Sequence, residues 1–123
     1  MTETELLHLL LLRAPVELID ARLFRRNVGL YRSIEGNRVV KVGVEGQCDA
    51  YALLRGGRTV EIETKAARGR MLDEQRCWRD FCHTWGIPHV TLKAQRGESP
   101  DATVARWIEE LRTVFFAITR EDQ

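Results

Sequence analysis

Glu63 and Lys65 stand two residues apart in the alternating stretch Thr59-Val60-Glu61-Ile62-Glu63-Thr64-Lys65. On a strand, that spacing puts an acid and an ammonium on one face and Val60, Ile62 and Thr64 on the other. Asp49 opens the preceding run, Asp49-Ala50-Tyr51-Ala52-Leu53-Leu54, and Arg55-Gly56-Gly57-Arg58 between the runs reads as a hairpin turn. Residues near the open ends of paired strands lie opposite one another, so the hairpin brings Asp49 to Glu63. Two carboxylates at one point repel unless a cation stands between them. Their oxygens suit Mg²⁺, or Mn²⁺ in its place; Mg²⁺ takes one or two protein carboxylates and keeps several waters. A lysine beside such an ion can deprotonate or orient an attacking water and stabilise the charge that develops on a phosphate. Glu-x-Lys alone is common on exposed strands, so its meaning depends on its surroundings.

The elements that must position these groups follow from patterning. Thr2 can cap a first helix, with Glu3 and Glu5 well placed against its N-terminal dipole. The run from Leu6 to Leu12 is apolar on nearly every face, which predicts a largely buried helix, ended by Pro15. It is preceded by acids and followed by no cleavage site, unlike a secretory leader. Residues 16–26 end in a short strand. Asn27-Val28-Gly29 and Glu35-Gly36-Asn37 read as turns. Three strands are predicted at 38–42, 49–54 and 59–65. A helix follows, capped by Asp73 and stopped by Gly86, with Trp78, Phe81, Cys82 and Trp85 as its apolar stripe. A strand at 87–92 and a last helix begun by Ser99-Pro100 complete the chain. No repeat, low-complexity tract or linker divides residues 1–123, which read as a single domain.

Charge is unevenly spread. The chain has 19 Lys+Arg and 18 Asp+Glu, a net of +1. Residues 1–20 carry one Arg and four acids, a net of −3; residues 21–70 carry eleven cations and five acids, a net of +6; residues 71–123 carry seven and nine, a net of −2. Sixteen of the nineteen cations are Arg, whose fork suits phosphate. Arg22, Arg25, Arg26, Arg32 and Arg38 precede the Asp49 and Glu63 strands, and Arg68 and Arg70 follow them. A 44% hydrophobic, 30% charged chain without a run of ~18 apolar residues is neither disordered nor membrane-spanning. Three cysteines, an odd count, point to free thiols in a reducing, cytoplasmic compartment.

An acid after a Gly-rich turn, Glu-x-Lys one hairpin later, then a helix with an early Gln resembles the PD-(D/E)XK nuclease superfamily. More closely, the chain resembles its virus-type replication-repair nuclease (VRR-NUC) family. The resembling pieces are Arg26-Asn27-Val28-Gly29, Gly43-Val44-Glu45-Gly46-Gln47-Cys48-Asp49, Glu63-Thr64-Lys65, Gly69-Arg70 and Gln75-Arg76-Cys77-Trp78, in family order. Cys48 stands where Pro or Ser is usual. The resemblance implies an α/β (α+β) fold: a restriction-endonuclease-like αβββαβ core with a mixed central sheet flanked by helices, plus a C-terminal helix. It implies Asp49, Glu63, Lys65 and Gln75 as catalytic residues. Asp49, Glu63, the Thr64 backbone carbonyl and a first-helix glutamate would hold Mg²⁺. Glu5 is chosen for that glutamate and Glu3 is the alternative. Arg25, Arg26, Asn27, Arg68 and Arg70 would bind DNA. The implied activity is a metal-dependent DNA endonuclease of phage or prophage type. Its substrate would be branched DNA such as a Holliday junction, cut by a homodimer in a bacterial or phage-infected cytoplasm. A non-catalytic DNA-binding accessory protein that retains the fold is the alternative.

Other groupings carry less. Cys77, Cys82, His83 and His89 have zinc-ligand types but no Cys-x₂₋₄-Cys pair. Ser33 and Ser99 lack a matched base, and His8 within the leucine run reads as a partly buried histidine.

Overall fold

The computed structural model describes residues 2–27, 29–32, 36 and 38–121. Its elements are α1 (Glu3–Glu17), β1 (Ala21–Arg25), β2 (Gly29–Arg32), β3 (Val39–Val42), β4 (Ala50–Leu54), β5 (Thr59–Lys65), α2 (Asp73–Thr84), β6 (His89–Lys93) and α3 (Pro100–Glu121). A four-stranded mixed sheet runs β1-β4-β5-β6; β1/β4 and β4/β5 are antiparallel, β5/β6 parallel. The fold is α+β with helices flanking the sheet and a C-terminal helix, as expected. No helix among the described residues is long and apolar enough to cross a membrane.

The strand assignment changes in two respects, the first being a strand at Gly29–Arg32 that the sequence pattern does not predict. Val39–Val42 is not in the main sheet; it pairs antiparallel with Gly29–Arg32 as a separate ribbon. The first strand of the sheet is Ala21–Arg25, in register Ala21↔Leu54 to Arg25↔Ala50. The valine-rich stretch has the stronger strand composition but finds a partner close by in sequence. The Arg-containing β1 succeeds as a half-exposed edge because Ala21 and Leu23 pack on the core. The turns expected at 27–29 and 35–37 include Val28, Glu35 and Asn37, outside the described residues, as is Ser33.

The core lies on one face of the sheet. Leu6, Leu7, Leu10 and Ala14 of α1 and Val104, Trp107, Ile108 and Leu111 of α3 close over Ala50, Ala52, Val60, Ile62 and Leu92. α1 is therefore buried along one stripe rather than all round, and Leu12 and Val16 are exposed, as is His8. Pro15 does not end α1, which runs on to Glu17. Proline here removes one i→i−4 hydrogen bond, that to Leu11, in the last turn. At α2 the N-cap is Leu72, and Asp73 is the first helical residue. Gly86, at φ +71°, follows α2, and Ser99 Oγ accepts from Ala102 N–H at the start of α3.

Every residue of β5 from Val60 to Lys65 is buried. Val60 and Ile62 enter the α1/α3 core. Glu61, Glu63 and Lys65 are covered on the other face, where Trp78 and Gln75 of α2 bond to them. An alternating strand with both faces covered must satisfy its charged side internally.

Candidate active site

Register explains why the carboxylates meet. Ala50 opposes Ile62 in the β4/β5 ladder, and one step further sets Asp49 against Glu63. Both line a cavity of about 450 Å³, shared with Glu3, Thr4, Arg25, Arg26, Asn27, Glu45, Gly46, Gln47, Glu74 and Gln75. The N-terminal turns of α1 and α2 both face it, so two helix dipoles present their positive ends there.

Asp49 is fixed by its neighbour on β5: the Thr64 N–H donates to Oδ1 at 3.2 Å and the Thr64 hydroxyl to Oδ2 at 2.7 Å. Lys65 is buried, and its Nζ donates to Gln75 Oε1 at 2.7 Å and lies 3.8 Å from Glu63 Oε1. Gln75 Nε2 donates to Glu63 Oε1 at 3.2 Å. Gln75 Oε1 also accepts from the Leu72 N–H at 2.9 Å, so one amide closes the start of α2 and joins the acid to the lysine.

Electrostatics sharpen the picture. Burial, then the nearby Asp49, push the Glu63 carboxyl up to about 8 against the pull of Lys65. Burial also raises Asp49, opposed by the Thr64 hydrogen bonds and augmented by Glu3. Cys48, buried next to these acids, is raised as well. Crowded carboxylates of this kind are relieved by a cation. The donor set is hard oxygen, which fits Mg²⁺ or Mn²⁺ held by two carboxylates and water. Among the described residues no three His, Cys, Asp or Glu side chains form a ready-made cage.

Two assignments from the sequence need correction. Glu5 is turned to the helix cap: its Oε2 accepts from the Thr2 N–H at 2.8 Å and its N–H donates to Thr2 Oγ1 at 3.2 Å. Glu3 lines the cavity instead, and its Oε1 accepts from the Ala66 N–H at 3.3 Å. Gly69 leaves room for that carboxylate, since a Cβ there would stand 2.7 Å from Glu3 Oε1. Arg26 lines the cavity but is not a free phosphate ligand. Its guanidinium pairs with buried Glu61 through two contacts, at 2.7 and 2.9 Å.

Arg25 and Asn27 are exposed at the cavity rim, with Arg25 Nη1 2.9 Å from His8 Nε2. Arg68 and Arg70 are exposed on the loop after β5 and do not line the cavity. Sequence reasoning missed Glu61, whose signal was its place on the Glu63 face two residues earlier. It also missed the Thr64 hydroxyl, for which no sequence signal exists. A scan of protein-family models and searches of curated proteins and of solved structures return no match.

Proposed function

We propose that the chain is a divalent-metal-dependent DNA endonuclease of the PD-(D/E)XK kind. The observation that carries this reading is the convergence of Asp49, Glu63, Lys65, Gln75 and Glu3 in and around one cavity, with the lysine tied by Gln75 to the acid. Asp49 and Glu63, with the Thr64 carbonyl and Glu3, would hold Mg²⁺ or Mn²⁺. A bound ion supplies Lewis-acid stabilisation of the phosphate and helps to acidify water. Lys65 orients the attacking water and offsets charge on the phosphate as the new P–O bond forms and an ester P–O bond breaks. The water's proton passes to solvent, and the leaving oxygen takes up a proton. Gln75 holds the lysine in place. Arg25, Asn27, Arg68 and Arg70 engage phosphates on either side.

Branched DNA as substrate and action as a homodimer rest on the family resemblance; C₂ symmetry would supply the two cuts that a junction needs. A non-catalytic DNA-binding protein is the weaker reading, because Glu3, Glu45, Asp49, Glu63 and Glu74 make the cavity hostile to phosphate without a cation. The test is a labelled panel of four-way junction, flap, linear duplex and single-stranded DNA, with and without Mg²⁺. Cleavage that needs the ion and is strongest on a branched member is expected. Retention of DNA with no metal-dependent cleavage would establish the weaker reading instead.

A further inference from the structure

Glu61 is the buried charge that the proposed chemistry leaves unused. It stands on β5 two residues before Glu63, is 5% exposed, and does not line the cavity. Three donors hold it: Arg26 Nη1 to Oε1 at 2.7 Å, Arg26 Nη2 to Oε2 at 2.9 Å and Trp78 Nε1 to Oε1 at 3.0 Å. The guanidinium lies over the Tyr51 ring, 4.7 Å from its centroid. One strand end, one helix and the central strand thus meet at a single carboxylate.

The other side of Arg26 faces the site. Arg26 Nη1 also donates to the Cys48 carbonyl at 3.2 Å, and the Arg26 backbone N–H donates to the Asp49 carbonyl at 2.8 Å. These bonds grip the peptide that carries the Asp49 side chain, just before β4 begins at Ala50. Asn27, the next residue, stands at the cavity rim. For stability alone this pair is a poor device, because apolar residues of similar volume commonly match a buried ion pair. Apolar residues cannot hold the Cys48 carbonyl.

We infer that Glu61 and Arg26 are a positioning pair, whose two-pronged ion pair fixes the Cys48–Asp49 peptide and thereby aims the Asp49 carboxylate within the metal-binding centre. The inference rests on the reading of the cavity as a divalent-metal centre. Glu61 lies outside the cavity, and the Arg26 guanidinium at its edge is spent on Glu61 and the Cys48 carbonyl.

The test is Mn²⁺ binding followed by electron paramagnetic resonance, beside thermal midpoints and steady-state cleavage. The variants are Arg26→Lys and the apolar double Arg26→Met/Glu61→Leu. Each is expected to bind Mn²⁺ at least about 10-fold more weakly than wild type, the scale of lost support behind a metal ligand. The double variant is expected to melt within a few degrees of wild type, and kcat is expected to fall while KM for DNA stays near its wild-type value. A folded double variant with wild-type Mn²⁺ affinity overturns the positioning role. If the double variant does not fold, a folded Arg26→Lys protein with undiminished affinity overturns it equally. Wild-type protein that binds no Mn²⁺ overturns the metal-centre reading itself, and is recognised by that result.

Discussion

Glu3 and Glu5 share the first turn of α1 yet have different partners: Glu3 the cavity and the Ala66 N–H, Glu5 the Thr2 cap. The signal that separates them was in the sequence, since Thr2 and Glu5 form the Thr-x-x-Glu pattern of a capping box. Glu5→Ala should lower the midpoint of urea denaturation and leave cleavage intact. Glu3→Ala should impair cleavage and leave the cap in place. The reverse pattern would restore Glu5 to the site. Arg26 illustrates what was not legible: its partner Glu61 is 35 residues away, and nothing local tells a buried guanidinium from a DNA-facing one. Glu63, Lys65 and Gln75 were legible because strand alternation and helix phase bring them together.

At the level of elements, the order of helices and strands follows from periodicity except for Gly29–Arg32, whereas pairing does not. Whether Ala21–Arg25 or Val39–Val42 joins the sheet is decided by packing and register, which a short apolar run does not encode. The loop before Asp49 meets α2 at Gly46, at φ +84°, where a Cβ would fall 2.1 Å from the Glu74 carbonyl oxygen. Gly46→Ala should destabilise the protein by roughly 1–3 kcal/mol and weaken cleavage, because loop and helix must separate where Gln75 is anchored; a variant with wild-type melting and activity would refute that contact. At the start of α3, Arg106 foremost, with Thr103 and the Gln95 N–H, holds Glu98 down to about 2 from its ordinary 4.5. A carboxyl lowered by folding contributes stability above its ordinary value and loses it as pH falls toward 2. Glu98→Gln should therefore melt below wild type at pH 7, and the gap should close near pH 2. A gap that is constant with pH would exclude this linkage.

Across the whole molecule, near-zero net charge conceals a basic middle segment that encloses an acidic cavity. Exposed Arg68 and Arg70 follow β5, and Arg25 stands at the rim. If they meet phosphates, Arg68→Ala and Arg70→Ala should each reduce the slope of log affinity against log salt by about 1. Unchanged slopes would remove them from the DNA surface. The proposed hydrolytic centre stands or falls with Lys65. Its ammonium does not itself line the cavity but is buried against Glu63 and Gln75, which do. The decisive measurement is the single-turnover cleavage rate of labelled four-way-junction DNA in Mg²⁺ by wild type and Lys65→Ala, with folding of both verified by circular dichroism. A loss of about 10²–10³-fold or more is expected in a folded variant; equal rates would exclude Lys65 from the chemistry and with it the proposed nuclease centre.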